Sequence, residues 1–235
     1  MRLDPRGLNL HVGDDCEIAD SVSFGANVVI HDGCRIGAGT LIGDNAVLGK
    51  RPVLGGSSTA QRGALAGLVI GEGCTVSTGA IVFAGTTLAA GVIVGDLAVV
   101  RERVTVGERS VIGRGATVEN DTTIGARCKL QADAYITAYC TLEDDVFIAP
   151  CVVTTNDNLM GRTERRHELI KGPTIRRGAR VGGGAILCPA VEIGEEAFVG
   201  AGAVVTKDVP PRMLVVGSPA RVLRAVKDDE LLENQ

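Results

Sequence analysis

Aromatic residues make up 3% of this chain of 235 residues, tryptophan is absent, and histidine occurs three times. A core of this size built on large rings is therefore excluded, although 45% of the residues are hydrophobic. No basic stripe interleaved with aromatics occurs, and the net charge of -4 gives nucleic acid no electrostatic footing. No apolar run approaches the length of a membrane span. The opening "MRLDPRGLNLHVGDD" lacks the apolar stretch of a secretory signal, and an odd number of cysteines, 7, then points to reduced thiols in the cytoplasm. No CxxC or Cys/His spacing suggests zinc, so no metal is expected. What remains is Val, Ile, Leu and Ala together with 32 glycines.

These residues are arranged with a period of six. Every sixth residue from Val12 to Leu48, from Ile70 to Ile148 and from Ile175 to Val205 is apolar, giving 27 leading positions. Chance does not produce such a run where about four residues in ten are apolar. The second place is often Gly. The fourth is rich in Gly, Asn and Asp, which accept left-handed backbone angles. The fifth is small, and Cys16, Cys34, Cys74, Cys128 and Cys140 fall there as compact buried groups. Neither a helix nor a long alternating strand has this period. Six residues fit one short strand and a tight turn. Three units close an 18-residue triangular coil, and nine stacked coils give a prism of about 43 Å with the leading aliphatics on its axis.

Two stretches interrupt the rhythm: "LGGSSTAQRGALAGLV" (54–69) and "TTNDNLMGRTERRHELIKGPT" (154–174). Counting hexads places them at different corners of the prism, separated by nearly five coils. Loops that leave a rigid repeat concentrate function. The expected organisation is an N-terminal lead (1–11), a β-helix (12–210) and a C-terminal tail (211–235). Within the tail, "ARVLRAVKDDELLENQ" has the composition of a short amphipathic helix.

The repeat resembles the hexapeptide-repeat family, and the resemblance implies an all-β, left-handed parallel β-helix. "IGEEAFVGAGAVVTKDVPPRMLVVGSPARVLR" (193–224) is similar to the closing coil and tail of hexapeptide acetyltransferases that use acetyl-CoA. "CKLQADAYITAYCTLEDDVFIAPCVVTTND" (128–157) is similar to a form found in N-acetyltransferases acting on nucleotide-linked amino sugars. In that family main-chain groups of the final coils hold the pantetheine arm and basic residues near the tail meet the CoA phosphates. The positions matching here are Gly183, Ala201, Thr206, Lys207 and Arg221. Gly and Ala leave room for a ligand, and the two cations suit phosphate.

On the acceptor side the resemblance implies Asp133, Thr155 and Asn156, with Asp133 and Tyr135 both departing from the subgroup's residues. Asp133 also occupies an ordinary turn place. It is expected on the same side of the prism as the second interruption, one coil beneath Cys151 and about 5 Å from the loop's mouth. Asn156 and Asp157 sit near where O-acetylating relatives carry their catalytic His. His167, in a strongly charged segment, is the histidine that the second interruption contributes. The catalytic candidates are thus Asp133, Asn156, Asp157 and His167.

The resemblance implies an acetyl-CoA-dependent N-acetyltransferase acting on a nucleotide-linked amino sugar and, in the family's manner, assembled as a homotrimer. An amine needs alignment and loss of a proton, whereas a hydroxyl needs a stronger base. The alternatives are an O-acetyltransferase of a sugar or small hydroxyl acceptor, and a non-catalytic structural β-helix subunit. The histidines lack the spacing of a γ-type carbonic anhydrase, and the repeat begins too early for an added nucleotidyltransferase domain. The first interruption is expected to reach the acceptor's nucleotide end, with Arg51 or Arg62 near a phosphate.

Overall fold

The computed structural model describes residues 1–56, 58 and 62–235, and the rest of the 54–69 interruption lies outside them. Each hexad forms a two- to four-residue strand followed by a turn, and successive strands go in rotation to three walls. Among the described residues the walls hold eleven, nine and eleven strands, the capping strand at each end included. The first wall begins with Leu10–Val12, the second with Glu17–Ile18 and the third with Ser23–Phe24. Within each wall, strands 18 residues apart pair in parallel, as Val99 with Thr117 and Thr117 with Tyr135 do.

The leading residue of each strand points to the axis. Ile30, Leu48, Leu130, Ile136 and Leu187 are all fully buried there. Apart from Cys16, which is only half-buried where the sequence pattern places it inside, the fifth-place residues of the coils are buried too, and several use a hydroxyl or thiol. Ser110 Oγ donates to the Gly125 carbonyl at 2.7 Å, Thr86 Oγ1 to Arg101 O at 2.6 Å and Cys128 Sγ to Glu143 O at 3.0 Å. Burial pushes the Cys34 and Cys140 thiols up to about 12 and that of Cys128 to about 11.

The fourth places lie in the left-handed region, occupied not only by Asn27 and Asp133 but by Arg103 and Arg127, with φ of 58° and 57°. Their neighbours offset the steric cost. Arg103 Nε meets Asp121 Oδ1 and Arg127 Nε meets Asp145 Oδ1, both at 2.7 Å and both one coil on.

Both ends of the prism are capped by antiparallel strands, Arg2–Asp4 on Leu10–Val12 and Arg221–Ala225 on Met213–Val216. The expected C-terminal amphipathic helix is therefore corrected. An open edge of the third wall leaves backbone groups unpaired, and residues 221–225 satisfy them as a strand. Only two short 3₁₀ turns follow, Asp228–Glu230 and Leu232–Asn234. Among the described residues no helix is long and apolar enough to cross a membrane.

The expected corners of the two loops also change. Thr154, read from sequence as the start of the second interruption, is a fully buried strand residue in the leading place of the first wall. It adds a rung that counting aliphatics misses. Both loops consequently leave the first wall, after Val47–Lys50 and after Val153–Thr154, and return to the second at Val69–Ile70 and Thr174–Ile175. They project from one corner, five rungs or about 24 Å apart.

Candidate active site

The corner between the first and second walls carries the second loop and the residues that follow the Val153–Thr154 strand. Asn156 follows the Val153–Thr154 strand, and its Nδ2 donates to the Ala138 carbonyl of the coil below at 3.3 Å. Its Oδ1 has no hydrogen-bond partner among the described residues. Thr155 is tied to the coil above through its N–H to Leu187 O at 3.0 Å. Cys188 in turn bonds to Val205 O at 3.0 Å, so Thr206 stands two rungs above Thr155, about 10 Å along the same edge. Lys207 follows it. The structure thus brings Asn156, Thr206 and Lys207 to one edge.

Asp157 is differently placed. Its carboxylate accepts the N–H groups of Leu159 at 2.8 Å and Gly161 at 2.9 Å, and Arg166 Nη1 lies 3.5 Å away. The Gly161 N–H above all holds its carboxyl below the usual range. Asp157 organises the loop, and a carboxylate so stabilised is a weak base. His167 lies on a four-residue helix, Arg166–Leu169, exposed, with Nε2 3.5 Å from Glu164 Oε2.

Asp133 sits at the corner where the third wall turns into the first, its N–H bonded to Arg114 O and its carboxylate 3.3 Å from Arg114 Nη2. Cys151 lies one coil above it, as expected from spacing, with its N–H bonded to Ala132 O. The loop, however, leaves from the opposite end of the strand that Cys151 precedes, so Asp133 is not at its mouth. The misplacement comes from treating a coil as one point, although its three corners are a wall apart. Gly183 and Ala201 share the Asp133 corner, where Gly202 N bonds to Gly183 O at 2.9 Å. In one chain, therefore, Asp133, Gly183 and Ala201 form one group, and Asn156, Thr206 and Lys207 form another across the first wall.

Arg221 joins the second group. Lys207 and Arg221 line a cleft of about 230 Å³ at the end of the prism, with Val205, Val209 and Val215 as its apolar floor. Neither cation is in an ion pair among the described residues, and Arg221 Nη1 donates only to the Ala220 carbonyl. Asp208 also lines the cleft, its Oδ1 accepting the Glu192 N–H at 2.8 Å, and the two cations, which it does not pair with, fit a phosphate-bearing ligand.

Sequence reading missed the cluster lower on the same edge. Glu102 is buried, receives Arg101 at 2.9 and 3.0 Å, and lies 3.9 Å from Arg103 Nη2. Arg101 reaches Glu119 at 3.1 Å and stacks over Phe83 at 5.2 Å. Above it, desolvation and the charge of Glu119 raise the Tyr135 phenol. Charged residues recurring 18 apart at 101 and 119, and at 103 and 121, were the available signal. A roomier cleft of about 730 Å³ lies at the remaining corner beneath the C-terminal tail and contains none of the residues selected from sequence. No group of three or more His, Cys, Asp or Glu among the described residues could hold a metal ion.

Comparison with known proteins matches residues 9–50 and 172–207 to the bacterial transferase hexapeptide model (six repeats). Residues 103–138 match the hexapeptide repeat of succinyl-transferase. Over 55 residues the chain is 40% identical to galactoside O-acetyltransferase of Escherichia coli, covering 23% of this chain and 27% of that protein. Over 67 residues it is 39% identical to serine acetyltransferase of Buchnera aphidicola, covering 28% of this chain and 24% of the relative. The chain thus spans about a quarter of the length of the curated relatives it matches. The structure of PerB from Caulobacter crescentus, in complex with CoA and GDP-perosamine, aligns with 25% identity and a TM-score of 0.40 over 64% of this chain and 56% of that one. The repeat and the stacked coils are those of a hexapeptide-repeat parallel β-helix, and the family models match it over residues 9–50, 103–138 and 172–207.

Proposed function

We propose that the chain is an acetyl-CoA-dependent N-acetyltransferase whose acceptor is an amino sugar, carried on a nucleotide. The observation that carries this reading is the edge shared by Asn156 and the Lys207–Arg221 cleft. The acetyltransferases matched over short segments agree with it. Lys207 and Arg221 receive the donor's phosphates, and Gly183, Ala201 and Thr206 offer small or polar surface for its arm. With Asn156 Nδ2 committed to Ala138 O, Oδ1 receives an N–H of the acceptor amine and orients its lone pair. The amine nitrogen forms a bond to the thioester carbonyl carbon, the C–S bond breaks, and the amine's proton leaves with the thiolate. No protein base is obligatory, which suits an edge whose nearest carboxylate, Asp157, is occupied by loop hydrogen bonds.

The assembly belongs to the same proposal. Outward residues on the first wall include Ile81, Val99, Tyr135, Val153, Ile186 and Val204, whereas the second wall presents Thr87, Thr105, Thr123, Thr141 and Thr174. Copies packed through the apolar first wall, as a homotrimer, bring the Asn156 edge of one copy beside the Asp133, Gly183 and Ala201 edge of the next. The two groups then face a single ligand cleft.

A hydroxyl acceptor is the second reading. It is favoured by the His167–Glu164 pair, since a histidine oriented by a carboxylate is the arrangement a hydroxyl requires. The discriminating experiment follows thiol release from acetyl-CoA with nucleotide-linked amino sugars and their hydroxyl analogues side by side. Turnover confined to the amines supports N-acetylation. Turnover of hydroxyls alone replaces it with the second reading, and no turnover with any acceptor overturns both.

A further inference from the structure

Described residues between Lys50 and Val69 border a second cleft on the same edge. Arg51, Pro52, Leu54, Arg62, Gly63 and Leu65 form it with Arg103 of the coil wall, enclosing about 290 Å³. Three guanidinium groups line this space, and no carboxylate does. The 730 Å³ cleft beneath the tail differs, because its four cations face Asp145, Glu196, Asp229 and Glu230.

The charges in the small cleft are also left uncompensated by its surroundings. Arg51 Nη1 donates to the Leu65 carbonyl at 3.1 Å and Arg62 Nη2 to the Gly55 carbonyl at 2.6 Å. Neither arginine is in an ion pair among the described residues, and the sequence from 51 to 68 contains no Asp or Glu. A carbonyl fixes the orientation of a guanidinium without neutralising it. Arg103 is neutralised, by its bidentate contact with Asp121 at 2.7 and 2.8 Å, and so serves as a fixed wall. Two oriented, unneutralised forks beside Pro52, Leu54 and Leu65 suit an anion with planar, bidentate oxygens carried on an apolar or ring-bearing group.

The position of the cleft along the edge gives it a place in the reaction. Arg103 lies three rungs from Asn156, about 14 Å, on the side opposite Lys207, which stands two rungs the other way. We infer that the Arg51–Arg62 cleft binds the phosphate end of the acceptor, separate from the donor's phosphate cleft at Lys207 and Arg221. This assignment rests on the acetyltransferase reading for the identity of the ligand, though not for the anion site itself.

The test uses the full chain with inorganic pyrophosphate, UDP and CoA, each titrated by calorimetry at fixed ionic strength. Pyrophosphate and UDP are expected to bind the parent protein and to lose at least tenfold in affinity in the Arg51→Gln/Arg62→Gln double variant. CoA affinity is expected to change less than twofold in that variant and to fall with Lys207→Ala instead. Arg62→Lys, which keeps the charge and the loop, should retain pyrophosphate binding within threefold. Circular dichroism melts matched to the parent exclude a collapsed loop as the cause of a loss. Equal pyrophosphate binding by parent and double variant overturns the inference. A parallel loss of CoA affinity in the double variant overturns it as well, by giving the cleft to the donor. If acetyl transfer is absent while Arg51 and Arg62 still govern pyrophosphate affinity, the acetyltransferase reading fails and the anion site stands.

Discussion

The hydroxyl of Thr154 accepts the backbone N–H of Thr137 at 2.8 Å and lies 3.3 Å from the carbonyl of Tyr135. In the coils below, the equivalent N–H goes to the carbonyl of the leading residue, as Glu119 N does to Ile136 O and Arg101 N to Val118 O. Thr154 thus fills an aliphatic's place on the axis and uses its side chain to replace a backbone bond where the chain departs into its loop. Thr154→Val fits the volume but leaves a buried N–H unpaired. It should lower stability by about 1–3 kcal/mol in urea unfolding, with Thr154→Ser losing less. Equal stability for Val and Thr would remove the hydroxyl from this role.

Gly172 returns the same loop to the prism. A Cβ added there would stand 2.6 Å from Cys140 Sγ, 2.8 Å from its N and 2.9 Å from the Ala138 carbonyl. Gly67 holds the matching place in the first loop, pressed on the carbonyl of Gly33. Gly172→Ala should cost about 1–3 kcal/mol, because two backbone atoms as well as the buried Cys140 thiol must yield. Thermal unfolding checks it, and a melt unchanged within a degree or so would show that the re-entry point is looser than its packing implies.

Acid should loosen the middle of the loop-bearing edge. The Arg103 guanidinium, with some help from Asn120, holds the Asp121 carboxyl below its ordinary range. A depressed folded-state value contributes stability that is complete above the unfolded value near 3.9 and is lost as pH falls through the folded one. Asp121→Asn should therefore lower the melting point at neutral pH and narrow its gap to the parent below about pH 4. A gap independent of pH would mean that the pair contributes shape rather than charge.

Much of this was legible from sequence, for physical reasons that differ by residue. Period-six aliphatics announce the prism because each leading side chain must reach the axis, and 27 such positions leave one arrangement. Thr154 was illegible for the same reason, since its burial depends on a hydroxyl taking a backbone bond, which hydrophobicity cannot show. That one residue moved a loop by a whole corner. Glu102 and Arg103 stood in an ordinary turn of the repeat, and only the stacking of coils shows that their neighbours 18 residues away complete a network. Arg221 lines one cleft with Lys207 and arrives there on a returning strand instead of the expected helix, because only the open edge of the third wall decides that pairing.

The cysteines offer a readout of folding. Cys34, Cys74, Cys128 and Cys140 are buried, and burial raises every one of their thiols, whereas Cys151 is exposed. Alkylation of the native protein near pH 8 should mark Cys151 quickly, and mass spectrometry should find the four buried thiols modified only at the rate of unfolding. Rapid native labelling of Cys140 would show that the coil beneath the second loop opens on its own.

Sharing of the site between copies can be tested by mixing. Lys207→Ala and Asp133→Ala subunits should each form weakly active assemblies, the former with CoA affinity reduced by about 1–3 kcal/mol. Mixed assemblies should regain part of the activity if the two residues reach one ligand from different chains. Normal assembly without any recovery would confine them to one chain's contribution or leave Asp133 a turn residue.

A scaffold whose loops both spring from the same corner behaves as a ruler with fixed graduations. Inserting 18 residues between the loops would add one coil, leave both on the same edge and lengthen their separation by about 4.8 Å. Inserting six would swing one loop to another corner and break the alignment altogether. The distance between the two arginines of the first loop and Asn156 can thus change only in whole coils, so acceptors of different length are matched by counting repeats, without redesigning either end.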